Sequence, residues 1–502
     1  MTDQTMAYPA DGVQERDRRR WAILSVLVLS QFMVVLDVAI VNVALPTIKN
    51  DLHFSEDGLQ WVITAYAILF GGVLLLGGRM ADLLGRRRVF MAGMALFTAS
   101  SLLDGLAWSS SSLIGFRALQ GLGAALLAPA ALSILTTTFS EGRDRNVALG
   151  IWGAASGSGG AAGVLLGGAL TSALSWSWIF FINVPVGVLV LALSPGLLRE
   201  SRADLDHRHF DTAGAASITG GLMLLVYALT HASQHGWATT ETIGLLVASA
   251  ALLVAFVGIE IRSPAPLLPL RIFRLRTLTA SNVNALLMGA AIFSQFFLLT
   301  LYMQQVLHYS ALKTGVAYVA LTLAIIGFSA VSQALVTRVG IRLVLPVGMA
   351  LSAAGLVLYA QLPVHGHYFS NLFPAFILSG IGLAFAFVPM SIGALTGVRP
   401  DDAGVASGLL NTNQQIGGAI GVALATTIAT TYTSHYLVGH PGVGPLDGAA
   451  LNHGFQIAFY VLAALAAIAA VVSAIMIETG AAATAVPDEG VGELTPALEE
   501  AA

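Results

Sequence analysis

Charge is what this 502-residue sequence has least of: Asp, Glu, Lys and Arg together make up 10% of it, where soluble domains carry about 25%. Cysteine is absent, which excludes disulfides, haem attachment and thiolate metal sites and leaves the redox compartment unread. The only lysines are Lys49 and Lys313, and neither follows the glycines of a phosphate-binding loop, so direct nucleotide-driven work is not expected. The patterns GxGxxG, HExxH and GxSxG are missing as well. His231 and His235 stand four apart without a partnering glutamate and read as loop residues at a helix end, not as metal ligands. No cofactor, metal or nucleic-acid partner is expected.

What is present is apolar. Hydrophobic residues make up 56% of the chain and the mean hydropathy is +0.80, the composition of an integral membrane protein. Runs of spanning length recur at 21–45, 58–78, 89–107, 112–138, 147–172, 177–197, 213–231, 241–261, 278–305, 314–336, 342–361, 370–392, 404–430 and 455–477. They predict an all-α membrane protein with fourteen transmembrane helices. The first run is too long for a signal-peptide core and is read as a retained helix. An even number of spans puts both termini on one side. Of the 23 Lys and Arg, 20 fall on the side of the N-terminal tail, the exceptions being Lys49, Lys313 and Arg117. That asymmetry predicts cytoplasmic termini in the plasma membrane. The last 25 residues carry six acids and no base and read as a solvated, disordered tail.

Asp37 is the one ionisable residue in the 25 residues of the first run. It lies sixteen residues beyond Trp21, about 24 Å along a helix and past the bilayer middle. A charge at that depth costs about 2.5–3.5 kcal/mol on insertion scales, so it marks function. Arg117 begins the inward-running fourth helix at an overlapping depth. Low dielectric favours the protonated form of such a carboxylate and a guanidinium the ionised form, so a group between those pulls can load and release a proton. The plain alternative is a static ion pair that locks two helices. Asp104 is placed near the outer end of the third helix, close to solvent, and is left outside the site.

Small residues four apart let membrane helices approach closely. The fifth helix reads GAASGSGGAAGVLLGG, with Gly153, Gly157, Gly159, Gly163, Gly167 and Gly168, and the thirteenth reads GVASGLLNTNQQIGGAIG over 404–421. If helices seven and eight are an insert, both become the fifth helix of a six-helix half. The turn GRMADLLGRRR at 78–88 is echoed faintly by LVTRVGIR at 335–342. Duplicated halves typify secondary transporters. The expected division is a tail at 1–20, a six-helix half at 21–200, an inserted pair with its linkers at 201–277, a second half at 278–477 and the acidic tail at 478–502.

These residues resemble the major facilitator superfamily, specifically its fourteen-helix drug:proton antiporters. LDVAIVNVALP (36–46), GRMADLLGRRR, RALQGLGAA (117–125), WSWIFFINVPVG (176–187), YMQQVLHYSALKTG (302–315) and AGVASGLLNTNQQIGGAIG (403–421) carry the likeness, in order and on matching helices. One departure is that Gly163 is followed by Val164 where the family has proline, so no proline kink is expected there. The resemblance implies that helices one and four line a central cavity, which brings Asp37 and Arg117 together as the proton-coupling pair. It implies that the turn at 78–88 is a cytoplasmic latch, with Gly78 and Gly85 permitting tight turning, Asp82 capping and pairing, and Arg86 and Arg87 supplying charge. The helix-five glycines are assigned to packing and sliding against the moving partner half. Candidate cavity residues are Asn42, Trp61, Tyr66, Gln120, Phe293, Phe297, Asn411 and Gln415.

The function so read is export of lipophilic small molecules in exchange for protons by a monomer in the lipid bilayer, driven by the proton gradient. The alternatives are a dedicated exporter of a metabolite, amino acid or siderophore and, from another class, a membrane enzyme or a non-transporting sensor. An enzyme needs several catalytic side chains at one depth, and only one acid–base pair is found.

Overall fold

In a bilayer every backbone N–H and C=O needs an internal partner, so an apolar chain of this kind folds as helices. The structure, a computed structural model, describes residues 10–477 except 55, 60, 141, 203–210, 264–265, 400–401, 441–443 and 445–446. The acidic tail at 478–502 lies outside the described residues. The long helices are α1 (Ala10–Asp51), α2 (Trp61–Leu84), α3 (Arg86–Gly105), α4 (Ser110–Thr138), α5 (Arg143–Ala173), α6 (Asn183–Leu197), α7 (Thr212–His235), α8 (Thr240–Arg262), α9 (Arg276–Leu301), α10 (Val319–Val339), α11 (Ile341–Ala360), α12 (Phe373–Gly393), α13 (Ala403–Gly439) and α14 (Gly448–Met476). Among the described residues, twelve helices are long and apolar enough to cross a membrane, and α5 adds a thirteenth when its two segments count as one span. The crossing expected at 89–107 falls on α3, which opens on Arg86, Arg87 and Arg88, closes near Asp104 and does not meet the same measure. Helix α1 starts at Ala10, so part of the expected N-terminal tail is helical. His231 and His235 are not loop residues: both lie in α7, stacked with ring centroids 4.2 Å apart, and His231 Nε2 stands 3.5 Å from Glu241.

The first six helices pack on one another, mainly through α2 on α4, α3 on α4, α1 on α5 and α3 on α6. Helices α9 to α14 form a second group through α9 on α13, α11 on α12 and α14, and α10 on α12. Glycine sets how close these crossings come. A β-carbon on Gly77 would strike the Ala125 carbonyl, and one on Gly417 the Leu286 carbonyl. The pair α7–α8 lies against the bundle, with α7 touching both α2 and α13. Trp61 packs on Tyr227 at 5.8 Å, and Trp237 donates to Thr427 Oγ1 at 2.8 Å.

Helix α5 corrects the expectation for its glycines. The stripe Gly159, Gly163 and Gly167 faces α1 within the same half: an added β-carbon would meet Val35 at 2.9 Å, the Leu36 carbonyl at 2.7 Å and the Ile40 carbonyl at 2.8 Å respectively. The partner half is met by Gly153, against Val388 at 3.3 Å, and by Gly157, against Ile325 at 2.9 Å and Phe387 at 3.4 Å. Gly168 is buried. The segments Arg143–Gly160 and Ala162–Ala173 meet at 41° without a proline. Runs of Gly and Ser lower the resistance of a helix to bending. A proline at position 164 would free the carbonyl of Gly160, four residues back, where the bend already lies.

Gly163→Leu and Gly167→Leu are therefore expected to destabilise the α1–α5 crossing by about 1–3 kcal/mol each or more, the cost of overpacking. Val164→Pro is expected to leave stability near that of the unaltered chain. Thermal unfolding of the three variants in detergent checks the order; equal midpoints would contradict the packing.

Candidate functional site

Helix α4 starts on a capping box in which Ser112 N–H donates to Ser109 Oγ at 3.2 Å and Ser109 N–H to Ser112 Oγ at 3.0 Å. That start places Arg117 and Gln120 on one buried face, three residues apart. Across from them, Trp176 Nε1 donates to Asp51 at 2.8 Å and ties the end of α1 to the turn Trp178–Phe181, after which α6 begins with Asn183. These anchors bring four side chains around Asp37. Arg117 Nη1 lies 2.6 Å from Asp37 Oδ2, Gln120 Nε2 donates to Oδ1 at 2.9 Å and Asn183 Nδ2 donates to Oδ1 at 2.9 Å. Ser101 Oγ accepts from Gln120 at 3.1 Å and from Asn183 at 3.0 Å, and donates to the Phe180 carbonyl at 3.0 Å.

Arg117 is held on its other sides too. Its Nε donates to the Val62 carbonyl at 3.1 Å, its Nη1 to Gln120 Oε1, and its guanidinium lies 4.4 Å from the Tyr66 ring centroid. Asp37, Arg117, Gln120, Ser101 and Asn183 are all buried. Five helices, α1, α2, α3, α4 and α6, thus converge on one ion pair. Removing either partner would leave an uncompensated buried charge, which costs about 3–5 kcal/mol.

Asp104 does not lie in solvent, as its place in the sequence suggested. It is fully buried on α3, one turn beyond Ser101, and neither carboxyl oxygen has a hydrogen-bond partner among the described residues. The sequence reading also missed Ser101 and Asn183. Asn183 stands inside WSWIFFINVPVG and carried a visible signal, a polar residue in an apolar run; Ser101 carried none.

Of the eight candidate cavity residues, the structure brings Tyr66 and Gln120 to the pair. None of the other six shares a hydrogen bond with Asp37 or Arg117 among the described residues. Asn42 is exposed and donates to its own helix at Val38, at 3.0 Å. Asn411 does the same at Ser407, at 2.9 Å. Trp61 is 39% exposed beside Tyr227. Phe293 lies across Gly418 of α13, Phe297 packs on the core, and Gln415 faces Gly71 of α2.

The turn between α2 and α3 lies where the two halves meet. Arg86 Nη2 pairs with Asp82 Oδ1 at 3.0 Å, both buried. The Asp82 carboxylate lies against Gly404 in the first turn of α13, where a helix N-terminus favours negative charge. Gly78 is not a turn residue: it lies inside α2, and a β-carbon there would strike the Gly404 carbonyl. Gly85 does make the turn, at φ +116°, where a side chain would also meet the Glu200 carboxylate at 2.6 Å. Arg87 reaches the end of α6 instead of the partner half, donating to the Leu198 carbonyl at 3.3 Å and, from its backbone N–H, to Glu200 at 3.2 Å.

Comparison with solved structures finds the same fold in a human organic anion transporter, with a TM-score of 0.63 at 15% identity over 90% of this chain and 99% of that one. A bacterial homologue of the human lysosomal transporter Spinster matches with a TM-score of 0.57 at 17% identity, over 91% of this chain and 97% of the other. In sequence, the chain is 39% identical to a puromycin resistance protein of Streptomyces alboniger over 490 residues, 96% of both proteins. It is 41% identical to a cephamycin export protein of Amycolatopsis lactamdurans over 409 residues, 81% of this chain and 84% of that protein. A tetracenomycin C resistance and export protein of Streptomyces glaucescens is 34% identical over 456 residues, 89% of this chain and 84% of that one. The model of the Major Facilitator Superfamily matches residues 27–422, and with the helical bundle and these relatives it places the chain in that superfamily.

Proposed function

We propose that this protein exports lipophilic antibiotics or related drugs from the cytoplasm by alternating access, driven by protons taken up from outside. The observation that carries the reading is the buried Asp37–Arg117 pair at 2.6 Å, on which five helices of the first half converge. In the conformation seen here Asp37 accepts from Arg117, Gln120 and Asn183, which suits the ionised carboxylate. A proton arriving at Asp37 cancels its charge and breaks the pair that ties Arg117 to α1 in this conformation. Loss of that tie favours a new arrangement of α1 and α4, which is how proton binding biases a conformational equilibrium. The relatives named for resistance to or export of puromycin, cephamycin and tetracenomycin C support small-molecule export as the work done. Because each of those names carries one antibiotic, a narrow range centred on a single compound is the second reading. The protein works as a monomer in the plasma membrane with both termini cytoplasmic, and Asp82, against the start of α13, holds the cytoplasmic side shut.

Three outcomes are expected. Asp37→Asn abolishes gradient-driven ethidium efflux while the protein still inserts, and Arg117→Lys, which keeps charge but loses the planar fork, is also severely impaired. Wild-type efflux rates in Asp37→Asn, normalised to inserted protein, would overturn the proton assignment. Asp82→Asn opens the cytoplasmic side: because the chain has no native cysteine, spin labels on Leu84→Cys and Val339→Cys report the gap, and their distance lengthens in the Asn variant. An unchanged distance would remove the latch. Reporter fusions after Arg208 and within 262–277 read as cytoplasmic and one at Gly439 as external; a cytoplasmic signal at Gly439 would reverse the orientation or remove a span.

A further inference from the structure

The proposed cycle uses Asp37 and Arg117 and leaves one buried acid idle. Asp104 is fully buried on α3 and neither of its oxygens has a hydrogen-bond partner among the described residues. It follows Ser101 by three residues, about 4.5 Å of helix rise, and Ser101 holds both Gln120 and Asn183, the two amides that bind Asp37. Asp104 lies within electrostatic range of Arg117 and Asp37. The charged groups facing it are Asp37 from α1 and Arg117 from α4. The turn packed on Gly105 brings the Phe181 ring, and on α2 the Tyr66 ring lies over Arg117.

We propose that Asp104 is a second proton-carrying carboxylate that exchanges its proton with Asp37, so that one guanidinium neutralises two acids in turn. Two acids and one cation share this buried space, and an ionised carboxylate there without a partner is strongly disfavoured. One acid must therefore be protonated. In the conformation seen here Asp37 has three donors and Asp104 none, so the proton sits on an Asp104 oxygen. The exchange breaks the O–H bond on Asp104, forms one on Asp37 and passes Arg117 from the Asp37 carboxylate to the Asp104 carboxylate. One cation and one anion are present before and after, so the cluster stays neutral and needs no other reactant.

This inference rests on the proton-coupled reading, and the test separates the two. Infrared spectra of the purified full-length protein in lipid at neutral pH should show a protonated-carboxyl band that Asp104→Asn removes and Asp104→Glu shifts. The shift supplies the assignment if the Asn variant does not fold. In Asp37→Asn, Arg117 has only Asp104 to pair with, so Asp104 ionises and its band is lost. A band that persists in Asp37→Asn, or is absent from the unaltered protein, overturns the proposal and leaves Asp104 a bystander. In proteoliposomes with an imposed pH gradient, Asp104→Asn loses gradient-driven ethidium transport and Asp104→Glu regains it; undiminished driven transport in Asp104→Asn also overturns the proposal. If the unaltered protein ignores the gradient, the proton-coupled reading itself fails, whatever the spectra show.

Discussion

A guanidinium with no access to water has to be neutralised where it stands, and the first half of this protein is arranged around that requirement. Arg117 meets a carboxylate from α1, a carbonyl from α2, an amide from its own helix and an aromatic face. Each contact is modest alone. Together they hold the register of α1, α2 and α4, while Ser101 and Asn183 bring in α3 and α6 through the same carboxylate. A pair like this is weak evidence for stability, because apolar residues of similar volume would often do as well. In the proposed cycle its worth is that protonating Asp37 breaks the pair, so the arrangement that was satisfied becomes the one to leave.

Movement needs seams that can part, and glycine supplies them. Where α2 meets α13 at Gly78 and Gly404, backbones touch with no side chain between them. The seam is closed by charge as well, through Asp82 at the start of α13 and Arg86 behind it. Helix α5 uses two glycine faces for different ends, one fixed on α1 and the other against α10 and α12. The bend between those segments falls among small residues, so the helix can follow α1 on one side and the partner half on the other. The inserted pair rests on α2 and α13, across the same seam, and any opening there must shear past Trp61–Tyr227 and Trp237–Thr427.

The sequence by itself determined the class of the protein and the order of its apolar helices; the pairing of Asp37 with Arg117 needed, besides their matching depth, the family resemblance that puts helices one and four on one cavity. Hydropathy and charge are local properties, and an acid and a base at matching depth in a medium without water have few other partners. The pairing of Asp82 with Arg86 and the turn at Gly85 were legible because an acid and a base four residues apart, and a glycine at a helix junction, are local signals as well. What only the tertiary structure decided is which neighbour each face meets. Gly163 and Gly157 carry the same spacing signal, yet one touches α1 and the other the partner half, because periodicity defines a face and not its occupant. Gly78 read as a turn and is a contact. Ser101 gave no signal, since a serine in a membrane helix commonly bonds its own backbone. Asp104 read as solvent-facing from its distance to a helix end, but depth along a helix does not say whether the neighbouring helices extend past it. Here the Phe181 ring of the turn before α6 packs on Gly105, and Asp104 is buried.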